Sequence, residues 1–195
     1  IDPKNRLLHR MSVRRLEAES IRDSILAVSG RLNDTMHGKP IPVHLTEHIV
    51  GRGRPSISGP LDGAGRRSIY ISVRRNFLPT MMLTFDMPTP FSTIGRRNVT
   101  NVPGQSLLLM NDPFVHQQAS LWAERELKEK RSIRDRIHNL YARAFSRPPS
   151  EKELVLCRQT LAILAKARGV GVDDVRVWTD LCHTLFRLNE FIFVR

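Results

Sequence analysis

Three features of the sequence predict a mainly α fold, a helical bundle with a small β element and a long Gly/Pro-rich loop. Apolar residues recur at helical spacing through most of 112–195 and again near 15–30. Proline and glycine alternate from 35 to 67. One short run, "RSIYISVRR", alternates apolar and polar side chains at period two.

In "RRLEAESIRDSILAVSG", Leu16, Ile21, Ile25 and Val28 fall near one face, Arg15 stands four residues before Glu19, and Gly30 supplies a stop, which together predict a helix. Residues 35–67 carry Pro40, Pro42, Pro55 and Pro60 among six glycines, a composition that holds no long regular element and predicts an extended surface excursion with one short strand. Ile69, Ile71 and Val73 then alternate with Ser68, Tyr70 and Ser72 as in a half-buried strand.

"NFLPTMMLTFD" predicts a short helix with Pro79 in its first turn, and "GQSLLLMN" a short buried one. Asp112 and Pro113 fit the cap and first position of a longer helix reaching about Lys130. Three more helices follow. Ile133, Ile137, Leu140, Tyr141 and Ala144 share a face over 132–145; "SEKE" at 150–153 is a capping box opening a helix to about Arg168; and Val175, Trp178, Leu181, Leu185 and Leu188 form a stripe. The chain of 195 residues is read as one domain: a helical part at 1–34, a variable loop at 35–67, a strand and Arg/Asn-rich central segment at 68–111, and a bundle at 112–195. Its opening "IDPKNRLLHRM" and closing "EFIFVR" suggest a fragment of a larger protein.

No run of about 18 apolar residues is present, and no basic-then-apolar stretch opens the chain. The net charge of +12 invites a polyanion partner, but +8 of it falls in 1–111 and +4 in 112–195, so the excess is spread rather than gathered. Of the 31 basic residues 25 are arginine, the side chain suited to planar pairing with carboxylates as well as with phosphates or sulfates.

Several motifs tempt. "HLTEH" at 44–48 has the spacing of a zinc hydrolase helix, but Pro42 and "GRGRP" confine it to about two turns, and no third ligand is in view. "GRGRP" at 51–55 resembles a minor-groove hook, yet it occurs once and lacks flanking basic residues, which leaves nucleic-acid binding as an alternative only. There is no Gly-x-Ser-x-Gly elbow, phosphate loop or dinucleotide fingerprint, so no catalytic residue is assigned. Cys157 and Cys182 lie in helical patterns without a Cys-x-x-Cys and read as buried hydrophobes, with a disulfide as the alternative.

The arginine pairs 14–15, 66–67, 74–75 and 96–97 remain. Consecutive residues of extended chain face opposite ways, so one arginine of each pair is expected to turn inward, with Glu17, Glu19, Asp23 and Asp86 available as partners. Two readings follow. In one, arginines pin an irregular segment onto the helices; in the other, Arg74, Arg75, Asn76, Arg96, Arg97, Gln105 and Asn111 form an anion-binding cleft.

The stretches "RRLEAESIRDSILAVSGRLNDTMHG", "RRSIYISVRRNFLPTMMLTFDMPTP", "GRRNVTNVPGQSLLLMNDPFV", "LYARAFSRPPSEKEL" and "WTDLCHTLFRLNEFIFV" resemble, in order, the planctomycete-specific C-terminal domain of unknown function called the PSD-one family. Only about 39–65 looks individual. The resemblance implies the C-terminal module of an exported multi-domain protein that also carries a cytochrome c-like part. It implies periplasmic or cell-surface localisation, the other domains of the polypeptide as partners and suspected work on complex polysaccharides; under the cleft reading the arginines form an anionic-polysaccharide binding or processing site shared with the missing domains. The chain lacks Cys-x-x-Cys-His, so no cofactor is expected in this domain and any haem belongs elsewhere in the full-length protein.

Overall fold

The computed structural model describes residues 2, 5–9, 11–91 and 93–194. Among them run a strand β1 (Arg14–Arg15), helices α1 (Ala18–Ser29), α2 (Thr80–Thr84), α3 (Pro103–Asn111), α4 (Pro113–Lys128), α5 (Ile133–Phe145), α6 (Glu151–Arg168), α7 (Val175–Phe186) and α8 (Asn189–Ile192), and a strand β2 (Phe193–Val194). The fold is mainly α. The one sheet among the described residues is the antiparallel pairing of β1 with β2, which brings the first and last elements together.

Helix ends follow from local chemistry. Asp112 accepts the Phe114 N–H at the start of α4, and Ser150 and Glu153 form the reciprocal capping box of α6. At the end of α1, Gly30 takes a left-handed φ of 81° and donates back into the helix. A side chain there would also run into the Arg125 guanidinium.

The core forms where α4 and α7 pack face to face. Trp122, Trp178 and Phe186 are fully buried, with the Trp122 and Phe186 rings 5.1 Å apart. Ile21, Ile25 and Leu26 of α1, Ile137 and Leu140 of α5 and Leu161 of α6 close around them. Each such side chain contributes about 1.5–3 kcal/mol by leaving water.

Four local expectations are corrected. Ser68–Tyr70 is a 3₁₀ turn rather than a strand, because Asp23 accepts hydrogen bonds from both the backbone N–H and the hydroxyl of Ser68 and bends the chain. Ile71 then bridges Ile41 alone, while Ile69 and Val73 face solvent. Helix α3 is mostly exposed, with only Gln105 and Leu109 buried. Leu188 lies past the end of α7, at the cap of α8, and is exposed. The 35–67 loop holds isolated bridges at Ile41 and Arg66 in place of the expected short strand, and its anchor is a small second core in which Val43 and Leu45 bury against Phe77. Cys157 and Cys182 are buried free thiols.

Candidate functional site

In β1 the pleat sends Arg14 outward and Arg15 inward. Arg15 does not meet Glu19 as the helical spacing suggested, because it precedes α1. Its Nη2 donates to Asp86 Oδ2 at 2.7 Å and to the Phe85 carbonyl at 3.3 Å. Asp86 sits past the end of α2 at a left-handed φ of 64° and also accepts from the Thr100 N–H at 2.8 Å and the Thr100 hydroxyl at 2.9 Å. One carboxylate thus joins the N-terminal strand, α2 and the central segment. Burial pushes its carboxyl up, but the bonds from Thr100 and Arg15 outweigh that and hold it below the usual range.

Arg97 meets Glu19 fork to fork, at 2.7 and 2.8 Å, with Glu17 at 3.3 Å. The guanidinium draws the Glu19 carboxyl below its ordinary value against the opposing effect of burial. Gln105, buried on α3, donates to the carbonyls of Thr84 and Thr100 at 3.1 and 3.3 Å. Asn111 donates to the Leu107 carbonyl one turn back on its own helix. Arg74, Arg75 and Asn76 are exposed around a turn closed by the Phe77 N–H on the Arg74 carbonyl, and Arg96 is exposed beside Arg97. The side chains of these four residues bond to no other described residue. Two of the seven cleft candidates, Arg97 and Gln105, therefore tie the central segment to the helices.

The 66–67 pair is half-exposed and clasps the loop at the surface. Arg66 stacks on the Tyr70 ring at 4.0 Å and donates to the His37 carbonyl at 2.7 Å, while Arg67 stands 3.9 Å from Asp23. Arg22 was missed by reasoning on pairs. It is buried and donates to the carbonyls of Asp62 and Arg66 at 2.7 and 3.0 Å and to the Ser68 hydroxyl at 3.1 Å. Its signal was a basic residue inside the stripe formed by Ala18, Ile21, Ile25 and Leu26.

Beneath the 35–67 loop lies a cavity of about 130 Å³, floored by the N-terminal ends of α2 and α4. Its walls are apolar, with Ile49, Leu61, Ile71, Met81, Met82 and Phe114. Arg22, His44, Thr46, Thr80 and Asp112 supply polar groups. His44 Nδ1 is 2.9 Å from the Gly59 carbonyl. Burial raises the Asp112 carboxyl above its usual value, more than the N–H groups of Phe114 and Val115 draw it down. Residues 42–50 are irregular, so His44 and His48 do not share a helix face. Among the described residues no three of His, Cys, Asp or Glu gather as a metal cluster would require.

No curated protein and no solved structure matches the chain. The model of one family matches residues 1–161, stopping within α6. The chain belongs to that family, PSD1, described as a protein of unknown function (DUF1553).

Proposed function

We propose that this domain is a non-catalytic assembly module, the C-terminal part of an exported, cytochrome c-associated planctomycete protein, docking onto other domains of the same polypeptide. One observation carries the reading. In 93–110 Arg97, Thr100 and Gln105 bond inward and Leu109 is buried, whereas Ile94, Val99, Val102, Leu107 and Met110, with Phe91 just before, are exposed, Val99 to 64%. Contiguous exposed apolar surface is characteristic of a docking site, and these side chains are taken to form it.

The test uses the full-length polypeptide carrying Val99→Asp and Leu107→Asp. Both positions are exposed, so the melting of the domain itself is expected to move by less than about 0.5 kcal/mol. Limited proteolysis is expected to separate this domain from the rest several times faster than in the wild type. Unchanged proteolysis with unchanged melting sinks the docking surface.

A second reading is favoured by Arg74, Arg75 and Arg96, three exposed cations whose side chains bond to no other described residue. Under it the domain holds an anionic polysaccharide at the surface, with electrostatic affinity that weakens as salt rises. A thermal-shift screen with sulfated, uronic and neutral glycans separates the two. A shift with sulfated or uronic glycans, lost in Arg96→Ala, supports this reading; no shift with any glycan removes it.

A further inference from the structure

We infer that the cavity beneath the 35–67 loop is a binding site for a small, mainly apolar and uncharged ligand bearing one hydroxyl donor, such as an alcohol or a phenol. The size fits. An apolar protein cavity of about 150 Å³ takes up benzene, and this one measures about 130 Å³.

The polar groups select the ligand's charge. Arg22 is the obvious anchor for a carboxylate or phosphate, yet both its terminal nitrogens are already committed to Asp62, Arg66 and Ser68. Bringing an anion in would set it against the Asp112 carboxylate, while most of the Arg22 donors are already turned to Asp62, Arg66 and Ser68. A cation fares no better, because the buried Arg22 charge lines the same cavity.

Beside the Thr46 and Thr80 hydroxyls, which donate or accept, what the cavity has left is acceptors. His44 Nδ1 faces the Gly59 carbonyl, and a carbonyl only accepts, so in the neutral ring the proton sits on Nδ1. Nε2 is then an acceptor, and it bonds to no other described residue. Asp112 Oδ1 accepts the Phe114 N–H, and the carboxylate keeps further lone pairs. Acceptors set in an apolar wall fit a hydroxyl on an apolar body. This inference stands apart from the docking surface of 91–110, and each survives the failure of the other.

The test is ligand-observed NMR and thermal shift on the intact chain with phenol, cyclohexanol, toluene, benzoate and benzylamine. Phenol and cyclohexanol are expected to bind roughly tenfold more tightly than toluene, the gain from one hydrogen bond to a charged acceptor. Benzoate and benzylamine are expected to bind at least tenfold more weakly than phenol. Asp112→Asn keeps a good helix cap and is expected to weaken phenol about tenfold while leaving toluene unchanged. Ile49→Trp, from the loop side, fills the space and is expected to abolish binding; if that variant does not fold, Leu61→Phe is measured in its place. Phenol binding no more tightly than toluene, benzoate binding most tightly, or phenol binding undiminished in the filled variant overturns the inference.

Discussion

Replacing Asp86 by asparagine removes one charge and little else. Asparagine tolerates the left-handed backbone that Asp86 adopts at φ 64°, so the turn after α2 is not strained by the change. The loss falls on Arg15, whose side chain is 3% exposed and which is left buried without a counter-charge, facing only the neutral amide oxygen of the new side chain and the Phe85 carbonyl at 3.3 Å. Stranding one partner of a buried pair costs about 3 kcal/mol or more, which corresponds to a fall in Tm of about 6–12 °C for a domain of this size. Chemical and thermal denaturation measure it. In the double variant with Arg15→Met, which removes the stranded cation as well, part of the loss is expected to return. A single-variant loss below about 1 kcal/mol, with no recovery in the double, means that Asp86 does not hold Arg15. The pH dependence follows from the sign of the shift. The folded carboxyl titrates below its ordinary value of 3.8, so its contribution is complete above that pH and is lost as pH falls through the folded value.

Arg147 bonds to Glu153 at 2.7 and 2.9 Å and to Glu190 at 2.7 Å, joining the α5–α6 turn to α6 and α8, and it is the main reason the Glu153 carboxyl drops from 4.5 to about 2. Stability of the wild type is therefore expected to be lost as pH falls from about 4.5 to about 2, and Arg147→Met is expected to be less stable near neutrality with a shallower acid limb in urea titrations. Both thiols are raised above their ordinary value by burial, Cys182 strongly, so a thiol reagent at pH 8 is expected to leave them unmodified until denaturant is added; rapid labelling of the native protein would contradict their placement. In Gly59→Ala the new Cβ runs into the Pro42 carbonyl, and a loss of more than about 1 kcal/mol in urea denaturation is expected, whereas an unchanged midpoint would show that the loop is free to move there.

The helices were legible because their signals are local. The caps at Asp112, Ser150 and Gly30, with apolar stripes of period 3.6, lie within a few residues of what they determine. The strand expected at 69–73 failed because Asp23 captures Ser68 across 45 residues, and a period-two pattern carries no record of that bond. Inward arginines were likewise readable as alternation at 14–15 and 96–97; Arg66 and Arg67 are both half-exposed and both engaged, and Arg74 and Arg75 stand on an exposed turn. Which acid each arginine meets was not readable. Arg15 and Asp86 are 71 residues apart and Arg97 and Glu19 are 78 apart, and nothing local links them. The cavity was invisible for a similar reason, since it exists only where a loop near 42–63 lies across the starts of α2 and α4.

Whether arginines hold the central segment on the bundle is tested most directly by a double-mutant cycle on Arg97→Ala and Glu19→Ala, with Arg96→Ala as the neighbouring control. The Arg97 side chain is 34% exposed and that of Glu19 22%, so solvent screening limits the coupling to about 1 kcal/mol even for a two-pronged contact. A coupling of that size, with Arg96→Ala within about 0.5 kcal/mol of the wild type, is the expected result. Additivity within about 0.3 kcal/mol would mean that the pair contributes nothing and that something other than this arginine holds the central segment on the bundle.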